Sequence, residues 1–427
     1  MFKTLKNAWA IPELRRKFLF TLMIIIVFRI GSVIPVPFID VEALKNSLTG
    51  ESVNEFFSYI SILTGGGLEY GAIFAMSVTP YINSSIIMQL LAVAIPPLGR
   101  LQQEGVEGQK KIAQITRYVT VLLGLIQGTA YYIYLYRSNM ISVTGGLVWL
   151  AAPVIILCFT AGSALMMWMG ERIDEKGIGN GISILLFSGI ISRAPQAAQY
   201  LWGYIQLQKY VQVAAVLLIF LLVIAFIVWM TGAERRIPIQ YAKRVVGRKM
   251  YGGQNTHMPI KVNMSGVMPI IFASSILSIP TMILSFMGTS RADTSLYKGL
   301  TLFSYRGAFY AILYFLLIIG FAYFYATIQY NPIEMANNLR KNSGAIPGIR
   351  PGKPTSDFIA KILSRITLIG ALFLSVVAIL PIIVGNVGGI QISLGGTSVL
   401  ILVGVALDTV QNVESQMMMR HYKGFLD

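Results

Sequence analysis

Charge is scarce in this chain. Only 12% of its 427 residues are Asp, Glu, Lys or Arg, about half the roughly 25% of a soluble domain. A water-soluble protein of this length would divide into several domains, each with a charged surface, and the deficit excludes that. A single cysteine, Cys158, excludes an intrachain disulfide. The two histidines, His257 and His421, both fall in polar segments, which leaves no histidine metal site or proton relay inside an apolar run. There is no H-E-x-x-H metal motif and no G-x-S-x-G nucleophile motif. The glycine-rich run Gly177-Ile178-Gly179-Asn180-Gly181-Ile182-Ser183 follows no strand, so it reads as close packing at a helix start and not as a phosphate loop. The sequence therefore points away from an enzyme and calls for no cofactor or metal.

What the chain has is long apolar runs, with 55% hydrophobic residues. A membrane-crossing helix needs about 20 of them. Ten stretches qualify: Phe18–Ile34, Ala72–Ile95, Ile112–Leu135, Leu147–Met169, Ile178–Ala198, Val211–Met230, Val267–Met287, Phe309–Ile328, Ile366–Val384 and Ser398–Val413. The first lacks a small-residue cleavage pattern and is followed by Pro35 and Pro37, so it reads as a retained helix. An even number of spans puts both termini on one side. That side carries 26 of the 34 basic residues, which by the positive-inside rule makes it the cytoplasm. The net charge of +16 is thus mostly a cytoplasmic surface.

Two cytoplasmic loops, 231–266 and 329–365, stand out by length. The first holds Arg235-Arg236, Lys243-Arg244 and Arg248-Lys249; the second holds Arg340-Lys341 and the stretch Pro347-Gly348-Ile349-Arg350-Pro351-Gly352. A basic anchor on anionic lipid would place its cations beside the membrane. These sit mid-loop between turn signals, which favours tips aimed at a large acidic or nucleic-acid partner. Within the spans, Arg29 is placed to snorkel outwards, and Asp408 is the one acid well inside. Asp408 either faces a hydrated cavity or caps a packed polar contact. Thr64-Gly65-Gly66-Gly67 breaks the chain before the second span, so Asn54–Leu63 reads as a short separate outer helix hinged there.

The runs Phe28-Arg29-Ile30-Gly31-Ser32, Pro80-Tyr81-Ile82, Gly177 to Ser183, Tyr241-Ala242-Lys243-Arg244, Leu339 to Lys341 and Pro347 to Gly352 resemble the bacterial SecY family, in order and along nearly the whole chain. That resemblance implies an all-α polytopic membrane protein of ten transmembrane helices. They would form two pseudo-symmetric five-helix halves, residues 1–200 and 201–427, around an hourglass pore of the inner membrane. It implies a protein-conducting channel for secretory polypeptides bearing signal sequences. The implied apolar constriction is Ile82, Ile86, Ile182, Leu186 (where the family more often has Ile), Ile271 and Ile401. The implied plug is the short outer helix, with Asn54, Phe57, Ile60 and Leu63, on the hinge Gly65, Gly66 and Gly67. A lateral gate towards lipid would be lined by Gln89, Gln127 and Asn263. Lys243, Arg244, Arg248 and Arg350 would dock the ribosome and the motor ATPase SecA, which supply the energy, beside the small membrane subunits SecE and SecG. The alternative is a secondary transporter or lipid flippase. That needs a polar cluster at mid-membrane, for which the sequence offers only Asp408 and scattered amides.

Overall fold

The computed structural model describes residues 9–49, 61, 64–142, 148–241, 244–246, 249–251, 255–264, 266–287, 299–300, 302–303, 307–388 and 396–421. The helices, in chain order, are α1 (Pro12–Gly31), α2 (Val41–Thr49), α3 (Thr79–Ala94), α4 (Pro96–Gln103), α5 (Val106–Arg137), α6 (Val148–Lys176), α7 (Gly181–Ile191), α8 (Ala194–Gln206) and α9 (Tyr210–Thr231). Strands β1 (Glu234–Tyr241), β2 (Arg244–Val246), β3 (Lys249–Tyr251) and β4 (Asn255–Lys261) follow. Then come α10 (Met268–Met287), α11 (Ala308–Gln329), α12 (Pro332–Lys341), β5 (Gly344–Ala345), α13 (Lys353–Gly388) and α14 (Gly396–His421). Every expected span meets a helix. Among the described residues, six helical stretches are long and apolar enough to cross a membrane by length and composition.

Two expectations change. The second span does not begin at Ala72: residues 73–78 form turns and the helix starts at Thr79. Pro80 sits in its first turn, where the missing N–H costs nothing. The stretch before it is held by Ile73 N–H donating to the Ile34 carbonyl at 3.0 Å and Val36 N–H donating to Gly71 at 2.9 Å. The fifth span likewise breaks, at Ser192-Arg193, into α7 and α8.

The chain divides into two compact units. Unit 1 comprises Met1–Val213, Ser275–Gly307 and Ile401–Asp427. On α1, Thr21, Ile24, Phe28 and Gly31 are buried, while Leu22, Met23, Ile26 and Ile30 are exposed. The 3.6-residue period puts the first set on one inward stripe. On α5, Thr116, Thr120, Gly124 and Gly128 make a buried small-residue seam. Across it the Ser163 Oγ of α6 lies 3.0 Å from where a Gly124 Cβ would stand, so the two backbones approach closely. An apolar core of Val36, Leu44, Tyr131, Leu135, Ile155 and Phe159 ties α2, α5 and α6 together; the Tyr131 and Phe159 rings meet edge-on at 5.1 Å.

Unit 2 comprises Ala214–Ser274 and Ala308–Leu400. Both long loops are structured here. In the first, β1 pairs antiparallel with β4, Ile237 opposite Met258 and Ile239 opposite Thr256. In the second, β5 pairs with the end of β1, so the sheet order is β4-β1-β5. A separate hairpin joins β2 to β3. Ile237, Ile239, Ile260, Leu339 and Ile346 pack with Ile359, Leu363 and Ile366 of α13. Asn331 caps α12, its Oδ1 accepting from Ile333 N–H at 3.1 Å. Along α9, Leu217, Leu218, Leu221, Leu222 and Trp229 are exposed. Leaving a large apolar side chain in water forfeits about 1.5–3 kcal/mol each, so this surface is built for lipid.

Candidate functional site

Three elements fix the start of α7. Gly179 adopts φ +70, a left-handed conformation open to glycine at little cost. Asn180 then caps the helix, Oδ1 accepting from Ser183 N–H at 3.0 Å. Asp174 Oδ1 of α6 accepts from Gly181 N–H at 2.7 Å, and Thr21 Oγ1 of α1 accepts from Ile178 N–H at 3.3 Å. A Cβ on Gly181 would lie 2.0 Å from the Gly170 carbonyl oxygen. The close packing expected of this run is therefore present. It sets α7, whose Ile182 and Leu186 lie one turn apart on one face, Leu186 buried and Ile182 half-buried beside Gly170.

On α3, Ile82 and Ile86 share one buried face and Ser84 and Met88 the opposite one. Ser84 Oγ donates to the Thr116 carbonyl of α5 at 2.7 Å. The Ser84 face thus packs on α5, and the two isoleucines point away from it. Ile401 is buried near the start of α14. These five residues belong to unit 1. Ile271, in unit 2, is buried on α10 next to Phe272, whose ring meets Phe321 and Tyr325 of α11 edge-on at 5.8 and 5.2 Å.

Of the expected plug, Asn54, Phe57, Ile60 and Leu63 lie outside the described residues. The glycine hinge is described, with Gly65 and Gly66 at φ +64 and +93. Arg29 does not snorkel outwards. It is half-buried, and its Nη1 donates to the Gly65 carbonyl at 3.3 Å. Its position on the α1 stripe turns it towards the glycine run, where a backbone acceptor replaces water.

Sequence reasoning missed the groups beside it. Arg193, in the break between α7 and α8, donates through Nη2 to Glu69 Oε1 at 2.5 Å and to Ser61 Oγ. Ser61 Oγ also donates to Glu69 Oε1 at 2.8 Å. Ser192 Oγ donates to the Gly189 carbonyl at 2.6 Å and reaches the Gly65 carbonyl at 3.4 Å. The available signal was an acid two residues after a triple glycine in an apolar stretch, since such charges need partners.

Of the gate amides, Gln89 is half-buried, Nε2 donating to Ser85 Oγ of its own helix at 3.4 Å. Gln127 is half-buried on α5 and Asn263 half-buried after β4. In the loops, Arg350 is exposed and its carbonyl accepts from Thr355 Oγ1 at 2.8 Å. Arg244 begins β2, while Lys243 and Arg248 lie outside the described residues. Asp408 is exposed on α14.

A family model, SecY, matches residues 72–410. The chain is 44% identical to the protein translocase subunit SecY of Thermotoga maritima, over 100% of this chain and 98% of that one. It is 41% identical to that of Streptomyces galbus over the whole of both, and 42% identical to that of Mycobacterium tuberculosis over 97% of each. Among solved structures it resembles a protein conducting channel, with a TM-score of 0.68 at 18% identity, over 94% of this chain and 92% of that one. It also resembles Sec61 in the canine ribosome-channel complex of the endoplasmic reticulum, with a TM-score of 0.62 at 16% identity over the same shares. Those two likenesses speak to fold.

Proposed function

The chain belongs to the SecY family, and from that membership we propose that it is the channel subunit through which unfolded secretory polypeptides cross the cytoplasmic membrane. One observation carries the reading: the match to relatives named as translocase subunits runs end to end at 41–44% identity.

Ile82, Ile86, Ile182, Leu186, Ile271 and Ile401 would form one constriction between two five-helix halves. A passing polypeptide presents every kind of side chain, so fixed hydrogen-bonding partners in the neck would arrest some of them. Branched apolar side chains make weak, non-directional contacts, and a narrow apolar neck dewets and blocks ions. The face of α3 that carries Ile82 and Ile86, buried yet turned from α5, supports their placement there. Residues before the Gly65–Gly67 hinge would close the outer mouth at rest, and Gln89, Gln127 and Asn263 would line a lateral exit for hydrophobic segments. The basic loops, with Lys243, Arg244, Arg248 and Arg350, would face the cytoplasm with both termini and dock the ribosome and SecA, while SecE and SecG bind within the membrane. The ribosome-bound neighbour in the structural comparison supports the first of these partners. Energy would come from the partners. A transporter or flippase is the competing reading, and family membership disfavours it.

The test is capture of a stalled secretory chain by photocrosslinkers placed at positions 82, 86 and 271. Crosslinks at all three support the channel. Their absence, with crosslinks only at the lipid-facing Ile87, refutes it.

A further inference from the structure

A buried ion pair stands apart from the ring, the gate amides and the loops. Glu69 and Arg193 are 124 residues apart in sequence, and their side chains are 14% and 15% exposed. The other ion pairs among the described residues all include a much more exposed partner. Burying two charges is costly unless geometry and extra hydrogen bonds compensate. Here Ser61 supplies the extra bond, donating to Glu69 Oε1 while Arg193 reaches its hydroxyl. The Nε of Arg193 is buried without a hydrogen-bond partner, and among the described residues its Nη2 is held by Glu69 and Ser61.

The cluster surrounds the glycine run. Arg29 from α1 and Ser192 from the α7–α8 break converge on the Gly65 carbonyl. Arg193 Nη2 lies 3.6 Å from where a Gly66 Cβ would stand. A Cβ on Gly65 would fall 2.5 Å from Ser192 Oγ and 2.6 Å from Arg29 Nη1. Two guanidiniums thus flank one glycine-rich backbone segment, and Glu69 pairs with one of them.

We infer that Glu69, Arg193 and Ser61 form a latch that pins the glycine hinge to the α7–α8 break, beside the contact that Arg29 of α1 makes with Gly65, holding the channel shut at rest. They are positioning residues, acting through the hinge and not on the passing chain. Removing the Glu69 charge takes away the carboxylate that pairs with Arg193 among the described residues and leaves the like-charged Arg29 beside the same hinge, which favours release. The inference rests on the channel reading and deepens it.

The experiment is resting ion conductance of the full channel, with its small subunits, in planar bilayers. Thermal stability and export of a precursor with a defective signal sequence are measured in parallel. Glu69→Gln is expected to raise resting conductance about tenfold, the scale of one lost charge-assisted hydrogen bond, and to increase defective-signal export. The exchange Glu69→Arg with Arg193→Glu restores the pair and is expected to return both towards wild type. A merely structural pair would lower thermal stability without that rescue of closure. Should Glu69→Gln fail to assemble, Ser61→Ala removes only the bridging hydroxyl and is expected to leak to a smaller degree. The latch is refuted if Glu69→Gln or Ser61→Ala leaks no more than wild type while Ile82→Gly leaks, or if the exchange leaks as much as Glu69→Gln. If Ile82→Gly does not leak either, the channel reading itself has failed.

Discussion

Gly181→Ala adds one methyl group at the point where α7 leaves α6. The new Cβ would lie 2.0 Å from the Gly170 carbonyl oxygen, 2.8 Å from its carbonyl carbon and 2.9 Å from Ile173 Cβ. Non-bonded atoms settle near 3.5 Å or beyond, so the two helices must part by roughly 1 Å or more. The obstacle is backbone and no rotamer change relieves it, so overpacking of this kind costs about 1–3 kcal/mol. Against this stands the helix propensity gained on replacing glycine by alanine, at most about 1 kcal/mol and less in a first turn. Parting the helices also stretches the 2.7 Å bond from Gly181 N–H to Asp174. The net expectation is a loss of about 2 kcal/mol. Gly203→Ala on α8 is the control, since no atom lies within 4 Å of its added Cβ; there the change should be neutral or stabilising by up to about 1 kcal/mol. Thermal unfolding of the purified channel in detergent reads both variants. Because α7 carries Ile182 and Leu186, Gly181→Ala should also raise resting leak. A Gly181→Ala midpoint equal to that of Gly203→Ala would refute the packing argument.

Asn180→Ala should cost about 1 kcal/mol through loss of the cap, read in the same melts and without the larger leak of Gly181→Ala. Ile82→Gly should leak ions at rest while Ile87→Gly, at a lipid-facing position of the same helix, should not; the two share the propensity cost of glycine, so single-channel conductance isolates the ring. Arg350→Glu should impair ribosome- or motor-driven translocation with the melting midpoint unchanged, and ribosome binding should weaken as salt rises because phosphate contacts release counterions. In a Cys158→Ser background, cysteine at Pro347 should label only from the cytoplasm and cysteine at Gln208 only from outside. Ile346 is unsuited to that test, being buried against α13.

Much of the membrane architecture was legible because a span is a local property: an apolar run of the right length reads as a helix whatever surrounds it. The misread parts depend on contacts between distant residues. Residues 73–78 are as apolar as a span, but the backbone bond from Ile73 to Ile34, and that from Val36 to Gly71 just before them, hold the stretch as turns. The strand β1 has Ile237 and Ile239 in strict alternation, yet Pro238 between them argues against a strand, and its partners lie in β4 and in the next long loop. The position of Arg29 suggested snorkelling because the Gly65 carbonyl that binds it is 36 residues away. At the site, an isoleucine in a span carries no signal of its own, so the six residues proposed for the ring were reached through the family resemblance. Glu69 and Arg193 were each visible as charges, and only the fold pairs them.

The sheet shared by the two long loops has a mechanical consequence. With β5 from one loop hydrogen-bonded to β1 from the other, and both packed on the first turns of α13, the loops are a single handle. A load on either is borne by both. The handle packs on the start of a helix of 36 residues, about 54 Å long at 1.5 Å per residue, with Pro381 inside it. A bilayer core is only about 30 Å thick, so a helix of that length exceeds it and its packed end serves as a lever arm. Torque applied at the handle enters through the N-terminal turns of α13, the part of the helix that lies ahead of Pro381.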